Sequence, residues 1–166
     1  MEDLEQLKKQ IEKYQPYNEQ EEKDKEEILR HLCESKHILT RENKNAHFTV
    51  SAWIVNEDHR KVLMAYHNIY QSLAWTGGHA DGAENLLQKA AEEAREETGI
   101  LQLTAVTSAM LSLDSLPVKA HYKKGKPVAA HVHYNIAYSF IASDKQPLTV
   151  KPDENSQVCW VALQLS

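Results

Sequence analysis

Little in this chain supports a disulfide scaffold, a membrane span or a polyanion-binding surface. Only two cysteines, Cys33 and Cys159, stand among 166 residues. Two cysteines make no disulfide framework, so a reduced, cytoplasmic protein is expected. No apolar run approaches the ~18 residues a membrane span needs. The opening MEDLEQLKKQ also lacks the apolar stretch of a signal peptide. Nineteen Lys and Arg against 24 Asp and Glu leave a net charge of -5, which argues against a nucleic acid polymer as partner. Hydrophobic residues at 42% are enough for a core, and the length suits one domain with a short appendage.

Glycine is scarce and unevenly spent. Of five glycines, Gly77, Gly78, Gly82 and Gly99 fall within a stretch of 23 residues. Glycine is required where the backbone takes a positive φ or comes close to a ligand. The unusual backbone of this chain is therefore concentrated at one place, and function is expected there.

Residues 1–45 differ from the rest. Leu4, Leu7 and Ile11 recur at helical spacing, Pro16 interrupts, and Ile28, Leu29 and Leu32 resume after the charged run EEKDKEE. Two charged amphipathic helices are expected, either as a solvated arm packing a narrow stripe, or as a dimer contact or a lid. From His47 the pattern becomes β. Phe48 to Val55 and Lys61 to Tyr66 flank a turn, and Leu73 to Thr76 is a short run that stops at the glycine pair. A helix is expected from Glu84 to Thr98, with Gly99 as its stop. Leu101 to Leu113, Val128 to Ala142 and Gln157 to Leu163 read as further strands around a Lys-rich turn at Gly125. The order implies a mixed sheet with one central helix, and divides the chain into an arm, 1–45, and a domain, 46–166.

The segment from Gly77 to Ile100 reads GGHADGAENLLQKAAEEAREETGI. At about 100° per residue, Leu86, Leu87, Ala90, Ala91 and Ala94 share one apolar arc, and Glu93, Glu96 and Glu97 cluster along its border. Three carboxylates in one helical patch repel one another. They also crowd toward the C-terminal end of the helix, where its dipole disfavours anions. A hard divalent cation, Mg²⁺ or else Mn²⁺, is the obvious compensation, because it takes carboxylate and phosphate oxygens. The plain alternative is a solvated acidic face.

This segment resembles the Nudix box: Gly, five residues, Glu, seven residues, Arg-Glu, an aliphatic, any residue, Glu-Glu, any residue, Gly, an aliphatic. Gly78, Glu84, Glu93, Glu96, Glu97 and Gly99 match, Ile100 is aliphatic, and Ala94 fits its slot loosely. The box arginine is replaced by Glu92, and Arg95 lies three residues on, placed to offset that charge. A chance match this good is on the order of 10⁻⁴ from the chain's own Glu and Gly frequencies. The resemblance implies a Nudix-like α/β/α sandwich with a mixed β-sheet, here carrying a helical N-terminal extension. Many members add a second helix after the last strand; if that layer is absent here, either the N-terminal arm takes its place or the sequence lacks that helix.

The resemblance also implies roles. Glu96 and Glu97 are the principal metal ligands, Glu93 is a ligand or the general base, and the Gly77 carbonyl completes the metal shell. Gly77, Gly78 and His79 are read as substrate-binding from their place in the glycine loop rather than from the resemblance, His79 being a substrate contact or a plain loop residue. Nudix enzymes commonly add an acidic residue from a late loop before a Trp-bearing strand. Here Asp153-Glu154 precede Trp160, so Glu154 is a further ligand or base, or else a polar turn residue. Glu84 at the helix start is structural. The chemistry implied is Mg²⁺-dependent hydrolysis of a nucleoside diphosphate linked to another moiety, a small phosphorylated substrate. Two other classes remain open. One is a nucleotide-binding sensor that keeps the fold, which only Glu92 favours and the intact Glu93, Glu96 and Glu97 set opposes. The other is an isoprenoid-diphosphate isomerase, although neither HLCES nor QVCWV resembles the cysteine motif of that relative. A homodimer is also open.

Other residues are less specific. His131 and His133, spaced i,i+2 on one strand face, suit a metal or substrate, or are an ordinary half-buried pair. Trp75, Tyr66 and Tyr70 suit base stacking or core packing. Lys119, Lys123, Lys124 and Lys126 form a solvated turn or a phosphate clamp.

Overall fold

A computed structural model describes residues 2–68, 71–83 and 85–164. Glu84 and Tyr70 lie outside the described residues. The chain divides into two compact units: residues 1–49, 79–86 and 110–136 make the first, and residues 50–78, 87–109 and 137–166 the second.

In the first unit, α1 (Glu2–Lys13) and α2 (Glu19–Glu34) are the two expected amphipathic helices, separated at Pro16. Leu7, Ile11 and Ile28 are buried. The Asn18 side chain caps α2 by accepting from the Glu21 amide at 2.8 Å. The Lys25 ammonium donates to the Glu12 and Tyr14 carbonyls at 2.8 Å each, which closes the C-terminal end of α1. Burial here is wider than the apolar stripe, because Glu21 and Asp24 are also buried. Hydrogen bonds make this tolerable: Glu21 accepts from the Tyr14 hydroxyl, and Asp24 accepts from the Ser115 amide at 3.2 Å on β6 (Ser112–Val118). Residues 46–49 of β1 (Ala46–Val55) and 131–136 of β9 (His131–Ile141) also belong to this unit, and β6 pairs with β9. Phe48, Tyr134, Ile38, Leu113 and Ile136 are its largest core groups outside the helices. The Lys-rich turn closes a two-stranded hairpin of β7 (His121–Lys123) and β8 (Lys126–Val128). Lys124 and Gly125 at its tip both take positive φ, the geometry of a tight hairpin turn.

The second unit carries most of the sheet. It adds β2 (Lys61–His67), β3 (Ser72–Ala74), β4 (Thr76–His79), β5 (Thr104–Ala105) and β10 (Asn155–Ala162), in the strand order β10-β2-β1-β9-β5. Asn56 closes the β1–β2 turn by accepting from the Arg60 and Lys61 amides at 3.0 and 2.9 Å. The sheet's one central helix is α3 (Leu86–Thr98), which buries Ala90, Ala91 and Ala94. Two strand expectations change. Residues 101–113 are not one strand, because only 104–105 and 112 onward pair; Leu101 is exposed and the Leu101 and Gln102 amides are satisfied by the Gln146 side chain. The short run before the glycine pair does not stop there, since β4 passes through Gly77 and Gly78. Neither glycine has a positive φ. No helix among the described residues is long and apolar enough to cross a membrane.

Gly99 and Gly125 separate two reasons for glycine. Both have φ near +78°, at +79° and +77°. A Cβ on Gly99 would sit 2.3 Å from Thr149 Oγ1, whereas one on Gly125 meets nothing within 4 Å. Gly125→Ala should cost about 1–2 kcal/mol, the left-handed penalty alone. Gly99→Ala should cost clearly more, and urea denaturation of both variants checks the order.

Candidate active site

The three glutamates on α3 do not share one environment. Glu93 and Glu97, one turn apart, are 9% and 4% exposed, while Glu96 faces solvent. Burial follows from the helix period, which places 93 and 97 beside the Ala90–Ala94 row. The remaining parts of the site come from β4 and from the loop before β10.

Gly78 is where it is because of Glu93. A Cβ there would lie 2.5 Å from the Glu93 carboxyl carbon. Gly77 is equally confined, with its missing Cβ 2.4 Å from the Val50 carbonyl oxygen. The glycine pair is thus a matter of close approach rather than of backbone conformation. The Gly77 amide donates to the Glu97 carboxylate.

The late loop closes the site. Asn155 is buried; its side-chain NH₂ donates to the Glu97 carbonyl at 3.1 Å, and its oxygen accepts from the Lys151 amide at 3.1 Å. This clamp brings Glu154 beside α3, where its charge acts on both Glu93 and Glu97. Lys151 pairs with Glu154 at 3.2 Å, and Lys89 reaches Glu93 at 3.4 Å and Glu92 at 3.9 Å. Lys89 is therefore the cationic partner of Glu92. Arg95, expected to offset that charge, instead donates to the Leu101 carbonyl at 3.2 Å because it lies at the helix end.

Charge is concentrated beyond what the lysines offset. Burial, followed by Glu154 and Glu93, pushes the Glu97 carboxyl up to about 8. Burial also raises Glu93, against the pull of Lys89, with Glu96 and Glu154 adding to the rise. An all-oxygen donor set whose members resist ionising together suits a hard divalent cation, which favours the ionised form of each.

The structure thus brings Glu93, Glu97, Glu154, Gly77 and Gly78 together, with Glu96 on the exposed side of the same helix. His79 belongs to the first unit, where its ring lies beside those of His47 and His133. Trp75 is partly exposed and lies against Trp53, with ring centroids 4.7 Å apart. Lys89, Lys151 and Asn155 were not legible as site residues, since a lysine or asparagine three or four positions from a glutamate carries no signature. His47 was equally silent in a strand of mixed residues.

The NUDIX domain family model matches residues 45–165. Solved structures of similar fold include an Ap4A hydrolase binary complex from C. elegans, with 18% identity over 69% of this chain and 79% of that one, TM-score 0.51. The NUDIX domain of Shewanella oneidensis NrtR complexed with ADP ribose is 18% identical over 69% and 71%, TM-score 0.49. The E. coli dihydroneopterin triphosphate pyrophosphohydrolase is 17% identical over 69% and 80%, TM-score 0.49. No curated protein matches the chain in sequence.

The raised Glu97 carboxyl has a measurable consequence in metal-free protein. Between the ordinary carboxylate range and about pH 8 the folded chain holds a proton that the unfolded chain has released. Stability from this group therefore falls as pH rises through that window. In EDTA, Glu97→Gln should flatten the fall in urea midpoint between about pH 5 and about pH 8 and be the more stable protein at the upper end. An unchanged slope would contradict the burial of this charge.

Proposed function

The chain belongs to the Nudix family and is a diphosphate hydrolase of the Nudix type, and we propose that its reaction is Mg²⁺-dependent cleavage of a nucleoside diphosphate linked to another moiety. Its mixed α/β fold is that of the family. The observation that carries the proposal is the meeting of Glu93, Glu97 and Glu154 around the Gly77–Gly78 strand, with the Glu93 and Glu97 carboxyls raised by burial.

In this reading Glu93, Glu96 and Glu97, with the Gly77 carbonyl, hold Mg²⁺ or Mn²⁺. When bound, the ion supplies neutralisation of the diphosphate oxygens and acidification of the attacking water. Glu93 or Glu154 takes the proton of that water. Glu93 suits the task because burial raises its carboxyl toward the working pH. Glu154 suits it by position, held on its loop by the Asn155 clamp. Oxygen attacks phosphorus in line, the anhydride P–O bond breaks, and the products are a phosphate monoester and a second phosphorylated fragment. Lys89 holds Glu93 from the helix turn before it, a cation where the box arginine is missing.

Substrate is expected to lie along Gly77 and Gly78 of β4, and His79 follows them on the same strand. Residues 1–45 act as an arm and 46–166 as the hydrolase domain. The protein works in the cytoplasm on a small phosphorylated molecule, alone or as a homodimer.

Product release across a panel of nucleoside diphosphate derivatives, with Mg²⁺, Mn²⁺ or EDTA, tests the proposal. Turnover should require the metal, and Glu96→Gln and Glu97→Gln should each lower kcat by at least ~100-fold without loss of fold. Full activity in both variants would remove the site assignment. Metal-dependent binding with no turnover by the wild type would make the protein a nucleotide sensor instead.

A further inference from the structure

Nine histidines are scattered along this sequence, yet the fold gathers four of them into one cluster within the first unit. His47 lies on β1, His79 at the end of β4, and His131 and His133 on β9. Side-chain nitrogens of His47, His79 and His133 all lie within 4.8 Å of one another, the only such three-ligand group among the described residues. The His47 ring centroid stands 5.2, 5.0 and 4.9 Å from those of His79, His131 and His133.

Proton placement makes the cluster more than a stack of rings. His47 is 5% exposed, and its Nδ1 lies 2.9 Å from the Asn43 carbonyl. A carbonyl only accepts, so Nδ1 carries the proton and Nε2 bears a lone pair. That Nε2 is buried and has no hydrogen-bond partner. A buried acceptor left unpaired is costly. An imidazole that gives one N–H to a carbonyl and turns its other nitrogen inward is also how a metal-binding histidine is held. His131 shares only the first half of this pattern. Its Nδ1 is 2.8 Å from the Ala129 carbonyl, so its Nε2 is unprotonated and accepts from the Nε2–H of His133 at 3.0 Å, which leaves the lone pair of His133 on Nδ1.

We propose that His47, His79 and His133 form a second metal site, built for a borderline first-row divalent cation such as Zn²⁺, with His131 beside it as a further donor. Imidazole nitrogens select Zn²⁺, Co²⁺ or Ni²⁺ over Mg²⁺, which prefers oxygen. Three histidines leave one position of a tetrahedral ion free, or filled by His131. Burial, and then the neighbouring cations and imidazoles, lower His79 to about 4 and His133 to about 3, so the rings are neutral ligands at neutral pH. Arg41 also faces the cluster, but Asp81 engages its guanidinium at 2.9 and 3.0 Å. The ion would cross-link three strands far apart in sequence, at the residue next to the Gly77–Gly78 pair.

The test uses the full-length protein, stripped with a chelator and kept in excess Mg²⁺. Zn²⁺ should bind one per chain by calorimetry and raise Tm. Co²⁺ should give the visible bands of a tetrahedral nitrogen-ligated ion. His47→Gln and His133→Gln should each weaken binding by more than ~100-fold, beyond the loss caused by removing an outer partner. His59→Gln, at an exposed turn position, should change nothing. Glu97→Gln should bind Zn²⁺ normally, so the fate of this site and that of the carboxylate site are read separately. A wild type that gives no tetrahedral cobalt spectrum overturns the proposal whether or not the variants fold. So do thiolate-to-cobalt bands, which would place the ion on a cysteine, and a cobalt spectrum that survives both histidine variants.

Discussion

Two carboxylates in a place that water barely reaches are the constraint from which the second unit's architecture follows. An isolated buried charge is expensive unless it is paired or neutralised by a proton. Glu93 and Glu97 face that cost together, and Glu154 is brought toward them by a clamp on Asn155 rather than kept away. Lys89, Lys151 and the Gly77 amide return part of the loss. A doubly charged ion can favour ionisation of several carboxylates at once, which a lysine cannot do as well.

The site is tightly packed. Gly77 and Gly78 leave no room for a methyl group between β4, β1 and the Glu93 carboxyl, so the acid is held by contact as well as by charge. Gly99 ends α3 under the Thr149 loop for a different reason, combining a left-handed backbone with close approach. In metal-free protein this arrangement works against stability. That is the usual relation between a preorganised site and the fold that carries it.

Much of this was legible in the chain because the box spacing and the helix period reinforce each other. Glu93 and Glu97 are four apart beside an alanine row, and the glycine pair marks the strand that must come close. The hairpins at Asn56 and Gly125, the two arm helices and the central helix were legible for the same local reasons. Long-range pairings were not. Nothing local says that Asn155 holds the Glu97 carbonyl, or that Lys89 rather than Arg95 serves Glu92. Nor does the alternation around residues 101–113 show that only its ends pair with other strands. The histidines are the clearest case: 47, 79, 131 and 133 carry no metal-binding spacing as a set, and only strand pairing assembles them. Glycines 77 and 78 were legible as special, for a positive φ or for close approach to a ligand, and the structure shows close approach, to the Val50 carbonyl and the Glu93 carboxyl.

The most direct test of the account is the proton balance of Mg²⁺ binding to metal-free protein, from calorimetry in buffers of different ionisation enthalpy. If Glu97 is held protonated near neutral pH, binding at pH 7 should release about one proton per chain. The release should fade above about pH 9, where the carboxyl has already ionised. Mg²⁺ binding at pH 7 with no proton released would contradict the claim that buried, mutually repelling carboxylates form the metal site.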